Sequence, residues 1–170
     1  MTVPELETSR LLLRGFRDED GEAWAEICAD EELMRWIGRE PMDRGDAWRH
    51  MAELSGHWAL KGFGQWALEE RRSGELVGRA GLYRPPDWPG LEVGWLVRRD
   101  RWGRGYATEA GAAAVRYAFE RLGADHVLSL ITVENAASRR VAEKLGAVAS
   151  GPIDLRGHTM TVFRIDRASG

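Results

Sequence analysis

The sequence predicts a mixed α/β domain, and three observations predict it. Apolar runs of strand length are interspersed with longer stretches at helical spacing. A glycine-bearing turn joins one strand directly to the clearest helix. The succession of elements, β-α-α-α-β-β-β-α-β-α-β-β, contains no repeat, linker or low-complexity tract, and 170 residues suit a single domain over 1-170.

Arg10 to Phe16 reads as the first strand, carried by Leu11, Leu12 and Leu13. Asp18, Glu19 and Asp20 place negative charge where a helix begins, and Trp24 and Ile27 continue it. A second helical stretch covers Ala29 to Ile37 and is broken by Gly38 and Pro41. A third covers Asp43 to Leu60, with Trp48, Met51, Ala52 and Trp58 near helical spacing. Strands follow at Gly64 to Glu70, Leu76 to Tyr83 and Leu91 to Val97. Ser73-Gly74 turns between the first two, and Pro85 to Gly90 is a loop.

Gly105 to Leu122 is a helix whose stripe is Ala107, Ala110, Gly111, Ala114, Val115, Ala118 and Leu122. Glu109, Arg116 and Glu120 face away, and the small residues let the helix lie close to a sheet. Val127 to Val133 is a buried strand. Ala136 to Leu145 is a short helix capped by Gly146, and two last strands flank Arg156-Gly157.

Composition narrows the function classes. A formal charge of -3 argues against general nucleic-acid binding. No apolar stretch approaches the roughly 18 residues of a membrane span. Met1 to Arg10 lacks a signal-peptide pattern, so a cytoplasmic protein is expected. One cysteine and four histidines give no zinc spacing, and no metal is expected. Cys28 reads as a small buried residue rather than a reactive thiol. Lys61 and Lys144 are the only lysines. Among the eight tryptophans, most of Trp24, Trp36, Trp48, Trp58 and Trp66 are expected in the core.

The chemistry lies between Glu92 and Thr108. The strand Leu91 to Val97 runs through Arg98-Arg99-Asp100-Arg101-Trp102 into Gly103-Arg104-Gly105-Tyr106-Ala107-Thr108, which opens the long helix. A helix N-terminus has unpaired N–H groups and a positive dipole end, and glycines let a phosphate approach the backbone. Arg98, Arg99, Arg101 and Arg104 surround the turn, either as a solvated charge run or as ligand contacts. A nucleoside-triphosphate loop would need Gly-Lys followed by Ser or Thr, which is absent here. A dinucleotide loop would need glycine where this chain has Thr108.

Four segments carry a family resemblance. They are Glu7-Thr8-Ser9-Arg10-Leu11-Leu12-Leu13-Arg14, Glu92-Val93-Gly94-Trp95, Trp102-Gly103-Arg104-Gly105-Tyr106-Ala107-Thr108-Glu109-Ala110, and the segment from Asn135-Ala136-Ala137-Ser138 to Leu145-Gly146. In this order they resemble the GNAT superfamily of N-acetyltransferases, and within it the branch of the ribosomal-protein alanine N-acetyltransferases. The resemblance implies a central, mostly antiparallel twisted sheet of six to seven strands with helices on both faces, splayed between the fourth and fifth strands. It implies acetyl-CoA as cosubstrate, with its pyrophosphate on the backbone of Gly103, Arg104, Gly105, Tyr106, Ala107 and Thr108. Its pantetheine would pair with Trp95, Leu96 and Val97. Asn135 would touch the pantetheine arm, while the residues equally support a helix N-cap there. A homodimer is compatible with the resemblance.

Acetyl transfer needs a neutral amine. Deprotonating a lysine-like amine at pH 7 costs roughly 4.6 kcal/mol, and an α-amine roughly 1.1 kcal/mol. Glu92 is the candidate base, against an exposed strand carboxylate. It shares a strand face with Gly94 and Leu96, and Gly94 leaves room beside it. A backbone N–H among Trp95 to Val97 would polarise the acetyl carbonyl. Many relatives carry a tyrosine seven residues after the asparagine to protonate the thiol. Here that position is Ala142, which leaves Ser138 as acid or as an ordinary first-turn serine. The acceptor groove implied by the family lies between Ile27 to Arg39 and Arg156 to Thr161. There Asp30, Glu31 and Glu32 either attract a cationic amine or form a solvated face, and His158 reads as exposed. The acceptor is a peptide N-terminus or a small amine. A non-catalytic acyl-CoA-binding module on the same fold is the reading from another class.

Overall fold

The computed structural model describes residues 2–168 except Gly38, so the helix break expected at Gly38 lies outside the described residues. Its strands are β1 (Leu6–Glu7), β2 (Leu11–Arg14), β3 (Gln65–Glu70), β4 (Leu76–Tyr83), β5 (Glu92–Val97), β6 (His126–Thr132), β7 (Val148–Leu155) and β8 (His158–Asp166). They form an 8-stranded sheet in the order β1-β2-β3-β4-β5-β6-β8-β7. The strand beyond the expected count is β1, whose two residues are too few to carry an alternating pattern. Every pairing is antiparallel except β5 with β6. Arg156 and Gly157 both take positive φ at the tip joining β7 to β8.

The helices are α1 (Gly21–Cys28), α2 (Glu31–Arg35), α3 (Arg44–Lys61), α4 (Tyr106–Glu120) and α5 (Ala136–Lys144). Side-chain caps fix three starts: Asp30 accepts from the Leu33 N–H, Asp43 from the Asp46 N–H and Asn135 from the Ser138 N–H. Gly146 stands in the left-handed region just beyond α5, in the role expected of it.

Two apolar layers sandwich the sheet. On one face α1, α2 and α3 bury Trp24, Ile27, Leu33, Met34, Met51 and Leu54 against Ala67, Leu76 and Leu96. On the other, α4 lays Ala110, Ala113, Ala114 and Ala118 on Val77, Ala80, Val93 and Val97. Trp24, Trp58 and Trp66 are core residues as expected, whereas Trp48 is exposed. Cys28 is buried, and burial pushes its thiol up to about 11. Among the described residues no helix is long and apolar enough to cross a membrane.

β2 ends where Arg14 is captured. Its guanidinium donates to both Asp20 carboxylate oxygens at 2.8 Å and to Glu69 at 2.7 Å. Burial alone would lower the Arg14 pKa, but Asp20 and Glu69 hold it above the ordinary value. The pair fastens the entry of α1 to the sheet. Removing one partner of a buried pair strands the other charge. Asp20→Ala should therefore destabilise the fold by about 3 kcal/mol in urea unfolding; a loss below about 1 kcal/mol would show that the pair is dispensable.

Candidate active site

The turn between β5 and α4 forms a cradle of backbone N–H groups. Gly103 and Gly105 have φ of 75° and 81°, a region that other residues enter only with strain. Gly105 is the N-cap of α4 and offers no side-chain cap. Among the described residues the N–H groups from Gly103 to Thr108 find no acceptor, and the helical ladder starts with the Glu109 N–H on the Gly105 carbonyl.

Glu109 anchors this turn, contrary to its expected outward position. Its carboxylate accepts from the Thr8 hydroxyl at 2.6 Å, the Arg10 N–H at 2.8 Å and Arg10 Nε at 2.7 Å. Arg10 also donates to the Arg104 carbonyl at 2.7 Å and stacks 4.7 Å from the Tyr106 ring centroid. Burial would raise the Glu109 pKa, but these hydrogen bonds outweigh it and hold the group below the ordinary carboxylate range. The Tyr106 hydroxyl donates to Glu70, tying the same turn to β3.

The arginines flanking the turn divide. Arg98 pairs with Asp100, Arg101 with Asp100 and Glu75, and Arg99 with Asp30 and Glu32. Among the described residues, only Arg104 of the four has its guanidinium unengaged and exposed. The Arg99 pairs also occupy two of the acids considered for amine attraction, and Asp30 is further used as a helix cap. His158 is exposed, as expected.

Beside the cradle the sheet opens. β5 and β6 share one aligned pair, Glu92 with Leu128, joined by the Leu128 N–H on the Leu91 carbonyl at 2.8 Å, and then part. The Arg98 N–H bonds Val77, so by alternation Leu96 turns its peptide groups to β4 while Trp95 and Val97 turn theirs into the gap. The Val97 carbonyl is taken by the Trp102 indole at 2.7 Å. Across the gap Asn135 is buried with its Oδ1 used as the α5 cap. The Trp95 indole donates to Ser138 Oγ at 3.3 Å.

Glu92 lies on the other face of β5, with Gly94 and Leu96. Its Oε2 accepts from the Trp88 indole at 2.7 Å, and Arg156 stacks on the Trp88 ring 5.3 Å from its centroid. A Cβ at Gly94 would stand 3.9 Å from Glu92 Oε1, so the second oxygen borders open floor. Glu92 keeps some exposure, yet desolvation pushes its pKa up to about 7 against smaller opposing effects of Trp88 and Arg79.

The profile of the acetyltransferase (GNAT) domain family matches residues 10–148. The chain belongs to this family. It is an acetyl-CoA-dependent N-acetyltransferase by class. It is 29% identical over 150 residues to the uncharacterized N-acetyltransferase YoaA of Bacillus subtilis, covering 87% of this chain and 85% of that one. An acetyltransferase structure from Agrobacterium tumefaciens superimposes with a TM-score of 0.87 at 28% identity, covering 98% of this chain and 96% of the other. A ribosomal-protein-S5-alanine acetyltransferase from Vibrio fischeri has a TM-score of 0.76 at 14% identity over 96% of this chain and 97% of that one, and so shares the fold.

Sequence reading passed over the polar residues beside Glu92. Gln65, Arg79 and His50 are all buried. Arg79 interrupts the otherwise apolar run of β4, which was the available signal. His50 is pushed down to about 3 by burial and by the cations Arg79 and Arg39, so it is neutral.

The Glu109 anchor should be measurable. Its contribution is present above the unfolded carboxylate pKa of about 4.3 and is lost as pH falls through the depressed folded value. Glu109→Ala should cost about 2 kcal/mol of stability at neutral pH and raise the KM for acetyl-CoA. An unaltered KM would mean that the cradle holds its shape without the anchor.

Proposed function

We propose that the protein transfers the acetyl group of acetyl-CoA to a primary amine by direct attack in a ternary complex. The observation that carries this reading is the meeting of a parted strand edge with an unsatisfied helix N-terminus. A long anionic thioester suits both at once. The N–H groups of Gly103 to Thr108 hold the pyrophosphate, with the Arg104 guanidinium free to join them. The peptide groups of Trp95 and the N–H of Val97 pair with the pantetheine. Leu96 supports the strand through β4, and Asn135 offers its side-chain amide to the pantetheine arm.

The acetyl thioester supplies the electrophile. The amine nitrogen forms a bond to the acetyl carbon, the carbon–sulfur bond breaks, and the amine's extra proton passes to Glu92. A backbone N–H of the open β5 edge polarises the carbonyl. Ser138 gives its hydroxyl proton to the departing sulfur and regains one from solvent. Because Trp95 Nε1–H can only donate, Ser138 Oγ accepts there and its own hydroxyl proton is left to point elsewhere. A base with a pKa about 7 is roughly half ionised at neutral pH, which suits proton transfer from an amine.

The sign follows from the raised pKa. Glu92 must be ionised to accept a proton, so activity falls as pH drops through about 7. On a lysine-type amine, whose own titration lies near 10.4, kcat/KM should show this inflection. Glu92→Gln should lower kcat by about 100-fold or more and remove it; turnover unchanged at neutral pH sinks the assignment. Ser138→Ala should lower kcat about tenfold in a thiol-release assay, and an unchanged kcat would remove Ser138 from the reaction.

A further inference from the structure

We infer that the polar slot beside Glu92 is a carboxylate subsite, and that the acceptor is a small amino-acid-like molecule whose carboxylate is read by Arg79. This rests on the amine-acetylation reading above. Arg79 is 8% exposed and, among the described residues, forms one hydrogen bond, to Gln65 Oε1. Its Nε is buried without an acceptor, and among the described residues no carboxylate forms an ion pair with it. Buried charges are ordinarily paired, so this guanidinium is a donor set without its anion. Desolvation accordingly pulls it down to about 10.

The surrounding groups do not supply that anion. From α3, Glu53 is shared between the Arg39 guanidinium at 3.4 Å and the Tyr83 hydroxyl at 3.0 Å. His50 is neutral and the Cys28 thiol is protonated at neutral pH. From β5 there is Glu92, which loses its charge when it takes the amine proton. The slot is then left with surplus positive charge, which a ligand carboxylate neutralises.

The strand register gives the ligand its dimensions. Gln65 faces Gly81, Gly81 faces Gly94, and Arg79 faces Leu96, so Arg79 stands diagonal to Gly94 on one sheet face. Diagonal neighbours stand about 7–8 Å apart. Gly94 leaves the floor bare between the polar side chains, whereas Gly81 lies tight against the Gly64–Gln65 backbone. A Cβ at Gly94 would lie 3.7 Å from Gln65 Nε2 and 3.9 Å from Glu92 Oε1, so one spot borders both an amide donor and the base. An amine over Gly94 meets Glu92, while a carboxylate whose carbon is two or three bonds away meets Gln65 Nε2 and the open edge of the Arg79 guanidinium. Arg suits this task because its planar fork matches a carboxylate.

The test compares free α-amino acids with their α-amides and decarboxylated amines in thiol-release kinetics, with mass spectrometry locating the acetyl group. The acids should exceed their amides in kcat/KM by about 100-fold, since a site built for a polar group rejects the analogue lacking it. Arg79→Gln should collapse that ratio to near unity. Equal turnover of acids and amides by the unaltered enzyme overturns the proposal without needing a variant that folds. So does preferential acetylation of peptides with an uncharged first residue, or an acid-to-amide ratio unchanged in Arg79→Gln. Turnover without preference for acids leaves the amine-acetylation reading standing. Acetyl-CoA binding with no turnover on any amine overturns both.

Discussion

The parting of β5 from β6 is the constraint on which the rest of the structure is arranged. Strands inside a sheet normally satisfy each other's peptide groups, and an unpaired edge in the interior is unfavourable. Here the pairing lasts for the Glu92–Leu128 step and then stops. The two halves survive separately because each is an antiparallel sheet of its own, β1 to β5 on one side and β6, β8 and β7 on the other. The crossover helix α4 bridges them. Its Gly111 admits Trp95 and Leu145 at contact range, so helix and gap are packed as one unit.

The period of two along β5 separates two kinds of work on one strand. Val93, Trp95 and Val97 belong to the α4 face, where the apolar layer and the open peptide groups meet. Glu92, Gly94 and Leu96 belong to the face under α1 to α3, where Gln65, Arg79 and Glu53 gather. On the proposed reading, donor and acceptor would thus approach one short strand from different directions. No side chain has to serve both.

The geometry of the strand-to-helix turn was largely legible because its signals are local. Two glycines at a strand-to-helix junction, the alternation along β5 and the Asn135 cap each span a few residues, and the structure has the positive-φ glycines and the cap. What escaped reading was partner choice across long separations. Glu109 looked like a solvent-facing helix residue because Thr8 and Arg10 are remote in sequence. Arg98, Arg99 and Arg101 looked like one basic cluster, since sequence shows charge but not the acids that fold back to meet it. Arg79 escaped for a related reason: a buried charge inside an apolar run has no periodic signature. The short β1 lacks the run of alternating residues by which strands are recognised.

The Arg10–Glu109 anchor also orders events in time. Its partners are separated by 99 positions, so the cradle reaches its working shape only after the chain has closed a loop of that length. Local helix formation in α4 can precede that closure, whereas the geometry of Gly103 to Gly105 depends on a contact between early and late parts of the chain. Shortening the segment before β2 would spare most of the sheet and leave that last step undone.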